Sequence, residues 1–450
     1  MLYPHIFFDM NMKKKLNGNK KYDFPSDISL VYHKGKILVI AVKTANWLVL
    51  ENDSQLFFFN LLKDYTIEES FDQFKGEYSD AIEVITQIEA RQFHSHEVMT
   101  NDSRGLHLYL TNECNMRCPH CYMSAGTKKT THELTYDEIN KILVHYKSTG
   151  GNLVTFSGGE VTMRSDFVSI LRLARNLDLY VEVLTNGTQW SDELISSCSE
   201  YIDRIQVSID GYSEETNSLI RGKGSFIKAM KTVDSFANLG IYTTIGVTPL
   251  LSNDLFDNYE EYIKFGKALC EKYKGKNFEI KFTAELWDGR DIKVSEQENS
   301  KYRDVINKIN EGIFGELYYD IAFVAFHKKK GIENNCSFGN YNIDSNGDAY
   351  LCPVITQMKP IGNIRHDSLD ILEQKRLVSR SKSDVVNLEP CNSCELMYIC
   401  GGGCRVKYFK PLTEGDLSRM SKSPYRNCNQ SYKSSIYDQM IRTHEYLFVE

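Results

Sequence analysis

The stretch Cys114–Cys121 constrains this chain more than any other part of its sequence. Its three cysteines have the spacing C-x3-C-x2-C and follow the apolar run Leu106–Leu110, which is typical of a β-strand. A structural zinc site or an iron–sulfur cubane held entirely by protein needs four ligands. This loop supplies three, and His120 cannot readily join them because it is confined between Pro119 and Cys121. The sequence therefore predicts a metal centre with one coordination position left for a non-protein ligand, with a zinc knuckle as the alternative.

Short motifs that end in polar residues follow the cysteine loop. Ser157–Glu160 follows the apolar run Leu153–Phe156, and two further strand-like runs, Val183–Gly187 and Ile205–Gly211, also end in polar residues. Strands alternate with helical segments over residues 102–315, which predicts a parallel sheet with right-handed crossovers. The strand-end motifs should then gather at the carboxyl edge of the sheet, where such folds bind ligands. Taken alone, Asn186–Gly187 also favours a turn.

Together, the cysteine loop, with His120 in its aromatic position, and these strand-end motifs resemble the signature of the radical S-adenosylmethionine (radical SAM) enzymes. The resemblance implies an α/β fold with a partial (β/α)6 barrel, and a [4Fe-4S] cluster held by Cys114, Cys118 and Cys121. The cluster would bind SAM, whose reductive cleavage gives methionine and a 5′-deoxyadenosyl radical. By the same resemblance, Glu160 is expected to meet the ammonium of SAM and Arg221 its carboxylate, while the ribose is expected to contact Asn186, Ser208 and Asp210. The full set of expected cofactor-binding residues is His120, Ser157, Gly158, Gly159, Glu160, Asn186, Ser208, Asp210 and Arg221.

A second group of cysteines occupies the C-terminal third. Its order is Cys336-x10-Gly347-x4-Cys352, a gap, Cys391-x2-Cys394-x5-Cys400-x3-Cys404, another gap, and Cys428. This order resembles the SPASM extension of radical SAM enzymes that modify peptides, which binds auxiliary [4Fe-4S] clusters. The resemblance assigns Cys391, Cys394, Cys400 and Cys428 to one auxiliary cluster, and Cys336, Cys352 and Cys404 to the other. Structural zinc is the alternative, because four cysteines that begin with C-x2-C could also hold it.

The second of these sets contains one cysteine fewer than in some relatives. In the sulfatase-maturing branch, an additional cysteine shortly before the first SPASM position completes that cluster. The corresponding stretch here, residues 327–331, contains no thiol. This cluster is therefore expected to have an open iron or another ligand, and a water or a carboxylate such as Asp344 is the structural alternative.

Length and composition narrow the class of protein. A chain of 450 residues with 42% hydrophobic and 25% charged residues is typical of a globular protein with two or three domains. Ten of the twelve cysteines lie in the motifs, and Cys198 and Cys270 are expected to be small buried hydrophobic residues. Because no apolar stretch reaches the length of a membrane span, we expect no membrane association and a cytoplasmic location, where thiols stay reduced. A net charge of −7 argues against nucleic acid as the partner.

Residues 1–95 resemble the winged-helix-like recognition element of enzymes that modify ribosomal peptides. Three strand-like runs, at residues 28–32, 36–42 and 46–50, precede three helical patterns. The alternative is a generic α+β cap over the barrel. The other two predicted domains are the radical SAM barrel, residues 102–315, and the SPASM domain, residues 316–450, whose abundance of turns is consistent with a fold held by metal clusters.

The predicted function is maturation of a ribosomally made precursor peptide that is recognised through its leader. A thioether crosslink is favoured as the product, because an open auxiliary iron could hold a thiolate. The alternatives are a carbon–carbon crosslink, formylglycine formation as in anaerobic sulfatase maturases, and a non-catalytic iron–sulfur or zinc scaffold that binds peptides. The resemblance also implies an electron donor such as flavodoxin or ferredoxin, and the sequence identifies no general acid or base.

Overall fold

The computed structural model describes residues 17–97, 105–126, 132–327, 338–408, 428 and 430–448. Cys336, which was predicted to be an auxiliary-cluster ligand, lies outside these residues. Within the described ranges, no helix combines the length and the apolar character needed to cross a lipid bilayer.

The N-terminal part begins with an antiparallel sheet of three strands. These are β1 (Ile28–His33), β2 (Lys36–Ala41) and β3 (Asn46–Leu50), in that spatial order. β1 and β2 are joined by a two-residue turn at Lys34 and Gly35, where φ is 49° and 77°, as a type I′ hairpin requires. Three helices follow: α1 (Asp53–Asp64), α2 (Ile67–Gln73) and α3 (Tyr78–Arg91). This order of elements agrees with the sequence prediction.

Six parallel strands form the centre of the chain, and the predicted α/β alternation is confirmed. Each neighbouring pair is parallel and follows chain order. The strands are β4 (Gly105–Thr111), β5 (Leu153–Gly158), β6 (Tyr180–Thr185), β7 (Arg204–Ser208), β8 (Tyr242–Val247) and β9 (Phe278–Phe282). The helices are α4 (Tyr136–Ser148), α5 (Phe167–Asn176), α6 (Asp192–Cys198), α7 (Glu214–Arg221), α8 (Ser225–Asn238), α9 (Asn253–Asp257), α10 (Tyr259–Lys272) and α11 (Glu296–Phe314).

The C-terminal region extends this sheet. After helix α12 (Tyr318–His327) come the short strands β10 (Tyr341–Ile343), β11 (Asp348–Tyr350) and β12 (Gly362–Asn363), and β10 pairs in parallel with β4. The result is a nine-stranded sheet of order β12-β11-β10-β4-β5-β6-β7-β8-β9. The described C-terminal helices are α13 (Leu369–Ser383), α14 (Met397–Cys400), α15 (Arg405–Tyr408) and α16 (Gln430–Phe448). β4, the first barrel strand and the one that leads into the cysteine loop, therefore pairs with β5 on one side and with β10 of the C-terminal region on the other.

Both faces of the N-terminal sheet are covered. One face packs on α1–α3 through side chains that include Val39, Leu48 and Phe58. The other face packs against the C-terminal region. There, Oδ1 of Asp438 in α16 lies 2.7 Å from Nε2 of His33 and 2.7 Å from Nζ of Lys34. The apolar part of this second interface consists of Leu38, Ile40, Trp47, Val49, Leu396, Ile399, Tyr437, Met440 and Ile441. The N-terminal domain is thus fixed to the SPASM region by a buried core, in which each large side chain contributes about 1.5–3 kcal/mol.

Candidate functional site

The cysteine loop begins where β4 ends and is closed at its base by backbone pairing. The amide of Cys114 donates to the carbonyl of Gly126 at 2.8 Å, and the amide of Gly126 donates to Asn112 at 3.1 Å. The amide of Cys121 donates to Cys118 at 3.2 Å, which makes a tight turn between the second and third thiols. Cys114 and Cys118 are buried, and burial raises the pKa of the Cys114 thiol to about 11. One short loop therefore presents three thiols, two of them buried and Cys121 partly exposed.

The donor set of the cysteine loop suits an iron–sulfur cluster. Cys114, Cys118 and Cys121 line one cavity, and cysteine thiolates are the usual ligands of such clusters. Three protein thiolates leave one coordination position for a ligand from the cavity.

A cavity of about 330 Å³ lies at the carboxyl edge of the sheet beside the cysteine loop. This volume lies within the range of sites for small-molecule ligands. Seven of the nine predicted cofactor-binding residues line the cavity together with the three loop cysteines. They are His120, Ser157, Gly158, Gly159, Asn186, Ser208 and Arg221.

Gly158 and Gly159 let the end of β5 approach the cysteine loop. A β-carbon on Gly158, where φ is 134°, would lie 2.3 Å from the carbonyl oxygen of Thr111, and one on Gly159 would lie 2.1 Å from that of Glu113. In the space that the missing side chains leave, the amide of Gly159 donates to Thr111 at 2.7 Å, and that of Glu160 donates to Glu113 at 2.8 Å. No other residue type could keep this backbone contact.

The carboxylate of Glu160 is placed differently from the sequence expectation. It is fully buried and does not line the cavity. Its Oε1 accepts from the hydroxyls of Thr185 (2.6 Å) and Thr162 (2.9 Å), and its Oε2 accepts from the amide of Asn186 (2.7 Å). Burial raises the pKa of this carboxyl, against the effect of these hydrogen bonds. Glu160 therefore ties β5 to the end of β6, and the expected contact of its carboxylate with the SAM ammonium remains a proposal.

Asp210 also lies behind the cavity wall, where a ribose contact was expected. Its side chain is fully buried, and its Oδ2 accepts from Nε of Arg221 at 2.6 Å and lies 3.3 Å from Nε2 of His120. Its Oδ1 accepts from the amide of Thr248 at 2.9 Å. These contacts fix the positions of Arg221 and His120, both of which line the cavity. The expected contact of Asp210 with the ribose remains a proposal.

Asn186 and Ser208 lie where the sequence placed them. Asn186 donates from Nδ2 to Oδ1 of Asn115 at 2.8 Å, and that nitrogen lies 3.9 Å from the sulfur of Cys114. Its Oδ1 accepts from Thr188. The polar end of β6 is thus hydrogen-bonded to the cysteine loop as well as exposed to the cavity.

Sequence reasoning missed the segment that follows β9. Thr283, Glu285 and Trp287 line the cavity, and Trp287 also packs against the apolar cluster on which Cys352 and Cys404 pack. Gln206, Thr248 and Leu286 are further lining residues that the motifs did not indicate. The alternation of Phe278, Ile280 and Phe282 was the signal that could have identified β9 and the strand-end segment behind it.

Four of the C-terminal cysteines surround a second cavity. Cys391, Cys394, Cys400 and Cys428, the set predicted to hold one auxiliary cluster, line a space of about 160 Å³. The loop between Cys400 and Cys404 is held by the buried guanidinium of Arg405. Its Nη1 donates to the carbonyls of Gly401, Gly402 and Gly403 at 2.6–3.0 Å. Cys391 is buried, which raises the pKa of its thiol to about 12, and the other three cysteines are partly buried.

The described members of the other auxiliary set, Cys352 and Cys404, pack against one apolar cluster. Next to Cys352, the carbonyl of Pro353 accepts a hydrogen bond from the hydroxyl of Tyr109 on β4. Asp344, the alternative ligand considered above, accepts the amides of Asn346 (2.9 Å) and Asp348 (3.0 Å) on its Oδ1. That oxygen is therefore engaged in the turn between β10 and β11.

Sequence comparison connects both cysteine groups to known domains. A model of the radical SAM superfamily matches residues 108–266, and a model of the SPASM iron–sulfur cluster-binding domain matches residues 335–395. The first match contains the cysteine loop and the strand-end motifs, and the second contains Cys336, Cys352, Cys391 and Cys394. The two domains were both expected from the motifs, and both are present.

Individual relatives agree with this domain pair. The mycofactocin maturase MftC of Mycolicibacterium smegmatis is 27% identical over 372 residues, which cover 72% of this chain and 93% of the relative. The sporulation killing factor maturation protein SkfB of Bacillus subtilis is 26% identical over 295 residues, 64% of this chain and 69% of the relative. The crystal structure of native anSMEcpe with bound AdoMet has a TM-score of 0.56 at 18% identity, and the match covers 76% of this chain and 98% of that one. The structural likeness shows a shared fold.

Proposed function

We infer that this chain, which belongs to the radical SAM superfamily of enzymes, modifies a ribosomally made precursor peptide and installs a crosslink in it. The names of the relatives MftC and SkfB support a maturase. Because the chain is an enzyme of this superfamily, a non-catalytic peptide-binding scaffold is excluded. The bond formed remains a proposal, and a thioether is favoured.

The cofactor sites follow from the cavity and its surroundings. Cys114, Cys118 and Cys121 would hold one [4Fe-4S] cluster, with SAM in the cavity against Ser157–Gly159, Asn186, Ser208 and Arg221. When bound, the reduced cluster and SAM together supply a 5′-deoxyadenosyl radical that takes a hydrogen atom from the substrate. The four-cysteine cavity would hold one auxiliary [4Fe-4S] cluster, and Cys336, Cys352 and Cys404 would hold a second. An electron donor such as flavodoxin or ferredoxin would supply the reducing electron.

The position of Trp287 carries the proposal. Its ring lines the cavity and also packs against the apolar cluster that includes Phe338, Leu351 and Val385, on which Cys352 and Cys404 pack as well. A substrate side chain that enters the cavity past Trp287 would therefore lie between the cysteine loop and the SPASM region. An extended peptide can reach such a position, because only one of its residues has to enter the barrel.

The N-terminal domain would bind the leader of the precursor as an added strand, a common mode of peptide recognition. One edge of its sheet is closed, because the buried side chain of Gln87 accepts from the amide of Val49 (3.0 Å) and donates to its carbonyl (2.8 Å). Gln55 likewise accepts from the amide of Glu51 at 2.8 Å. These hydrogen bonds replace those of a neighbouring strand, so β3 is blocked.

The opposite edge of the sheet is open. In the β1–β2 register, the amide and carbonyl groups of Leu30 and Tyr32 point away from β2. Among the described residues, no hydrogen bond reaches these groups. The side chains are 41% and 67% exposed, so they offer apolar surface next to unpaired backbone. We therefore place the leader on β1.

A thioether is favoured because the set of Cys336, Cys352 and Cys404 contains one thiol fewer than a cubane needs. The bond would form between a peptide cysteine sulfur and a carbon of another residue. The hydrogen atom of the C–H bond would go to the 5′-deoxyadenosyl radical, and the thiol would lose its proton to solvent. As the S–C bond forms, the surplus electron would pass to the auxiliary cluster. The product is therefore two hydrogens lighter than the precursor.

The test uses the reconstituted, reduced enzyme with SAM and a precursor peptide from a small open reading frame sought beside its gene. A product two hydrogens lighter, with one thiol fewer for iodoacetamide to alkylate, is the expected result. A product two hydrogens lighter in which every thiol is still alkylated would contradict a thioether; a carbonyl reagent then distinguishes a carbon–carbon crosslink, which contains no aldehyde, from formylglycine made from serine. Loss of a cysteine sulfur would establish formylglycine formation from cysteine.

A further inference from the structure

The segment that follows β9 grips the cysteine loop by its backbone. A β-carbon on Gly289 would lie 2.6 Å from the carbonyl carbon of His120, so the two backbones are in direct contact. The amide of Arg290 donates to the carbonyl of Cys121 at 3.1 Å, and that of Asp291 donates to Pro119 at 2.9 Å. Gly289, Arg290 and Asp291 do not belong to the motifs that identify the cofactor site.

The side chain of Arg290 joins two distant points of the same loop. Its Nη1 donates to the carbonyl of Cys118 at 3.2 Å, and its Nη2 donates to the carbonyl of Ala125. Cys118 supplies the second thiol, and Ala125 precedes the residue that closes the base of the loop. A planar guanidinium can hold two carbonyls in fixed positions, which an ammonium group cannot do in the same way.

The charge of Arg290 also lies next to the thiol loop. The guanidinium is half-buried, where a charge is less screened than in water. Arg117, by contrast, belongs to the same loop but is 76% exposed, and its nearest carboxylate partner is Asp291 at 3.7 Å. The two arginines therefore differ in burial and in contacts while both lie near the cysteines.

We propose that Arg290 is a positioning residue for the SAM-binding cluster: it holds Cys118 and Cys121 in place and keeps a positive charge beside them. The inference rests on the proposed assignment of the loop cysteines to that cluster. Reduction adds an electron to the cluster, and a nearby positive charge stabilises the more negative state. Arg290 should therefore raise the reduction potential of this cluster and slow its loss of iron.

The test compares the full-length, anaerobically reconstituted variants Arg290→Met, Arg290→Lys and, as the matched control, Arg117→Met. Two quantities are measured: the midpoint potential of the cluster whose electron paramagnetic resonance signal changes on SAM addition, and the rate of iron loss to a chelator. For Arg290→Met we expect a more negative potential and several-fold faster iron loss. Arg290→Lys should keep the wild-type potential, because it keeps the positive charge. It should lose iron faster, because an ammonium group cannot hold the carbonyls of Cys118 and Ala125 as the guanidinium does. Arg117→Met should change neither.

Wild-type potential and wild-type iron loss in Arg290→Met would overturn the inference. If that variant takes up no cluster, the positioning role is supported, and a wild-type potential in Arg290→Lys supports the role of the charge. If the potential of Arg290→Lys is as negative as that of Arg290→Met, the proposed role of the charge is contradicted. None of these measurements uses a peptide, so they remain valid if the enzyme does not act on the proposed peptide substrate. Conversely, wild-type potential and iron loss in the Arg290 variants would not contradict the proposed function.

Discussion

Arg221 donates from its Nε to Oδ2 of Asp210 at 2.6 Å, in an ion pair whose carboxylate is fully buried. The ring of His120 lies 3.3 Å from the same oxygen. One carboxylate thus connects an arginine that lines the cavity to the loop that carries the three thiols. We infer that binding of SAM and the position of the cysteine loop depend on this shared group.

Asp210→Asn should therefore weaken SAM binding. The amide keeps the shape of the side chain but loses the charge that fixes Arg221, and hydrogen bonds to charged groups contribute about 1.5–3 kcal/mol. We expect SAM affinity, measured by calorimetry on the reconstituted enzyme, to fall by roughly tenfold or more. Asp192→Asn, at an exposed carboxylate that pairs with Lys231, is the control, and equal affinities in the two variants would contradict this account.

The open edge of β1 gives a prediction for the leader. Tyr32→Pro removes an outward-facing amide, and proline is tolerated on the free side of an edge strand. We expect slower modification of the full-length precursor, with SAM cleavage in the absence of peptide unchanged. Tyr32→Ala keeps the amide and separates the backbone contribution from that of the side chain.

The blocked edge of β3 provides the opposite test. Gln87→Ala leaves the amide and carbonyl of Val49 without their partner, which should cost about 1–3 kcal/mol of folding free energy. Leader affinity should not rise in this variant. Tighter leader binding in Gln87→Ala, together with normal modification by Tyr32→Pro, would move the leader to β3.

The cysteine assignments predict iron content. Three [4Fe-4S] clusters contain about 12 iron atoms. We expect about eight to remain in the variant Cys394→Ala/Cys400→Ala, with the SAM-responsive signal preserved. About eight should also remain when Cys114, Cys118 and Cys121 are all changed to Ala, but without that signal. Cys270→Ala lies outside both motifs and should retain all the iron, whereas zinc with little iron in the reconstituted wild type would disprove the clusters.

A pH-dependent contact joins the barrel to the SPASM region. Arg365 donates to both carboxylate oxygens of Glu138, at 2.6 and 2.9 Å, and these hydrogen bonds are the main reason that the pKa of Glu138 falls to about 2. The stabilisation is therefore fully present above the unfolded-state pKa of about 4.3 and is lost as the pH falls towards about 2. Because both side chains are partly exposed, we expect Glu138→Gln to lower stability by only about 1 kcal/mol near pH 7.

Urea unfolding at several pH values checks this contact. The difference between wild type and Glu138→Gln should be constant from pH 8 to pH 6 and should shrink below about pH 5. Asp137→Asn, at the exposed neighbouring position, should show little difference at any pH. If the stability difference between wild type and Glu138→Gln grew on acidification, the proposed stabilising effect of the ionised Glu138 would be contradicted.

The sequence predicted the parallel sheet, because a motif at the end of a strand specifies both an element and an edge. Seven of the nine residues expected to bind the cofactor line one cavity at that edge. The sequence did not predict the hydrogen-bond partners of every side chain: Glu160 and Asp210 each accept from several buried donors. Spacing in a sequence carries no information about which of several nearby donors a carboxylate will choose.

Short strands and long-range contacts were also beyond reach. β10, β11 and β12 have two or three residues each, which is too short for an alternating pattern to be visible. The pairing of β10 with β4 joins residues more than 200 positions apart, and the closure of β3 by Gln87 depends on how a helix packs. The same is true of Arg290, which reaches the cysteine loop only in the folded chain.

Transfer of hydrogen from the peptide tests the central claim most directly. The measurement uses a precursor deuterated at carbon and follows the label into 5′-deoxyadenosine by mass spectrometry, with the reduced wild-type enzyme and SAM. The account predicts deuterated 5′-deoxyadenosine in proportion to modified peptide, and none when the leader is removed. Unlabelled 5′-deoxyadenosine, formed at the same rate with and without the precursor while the peptide mass stays unchanged, would contradict the proposal that this enzyme acts on that peptide.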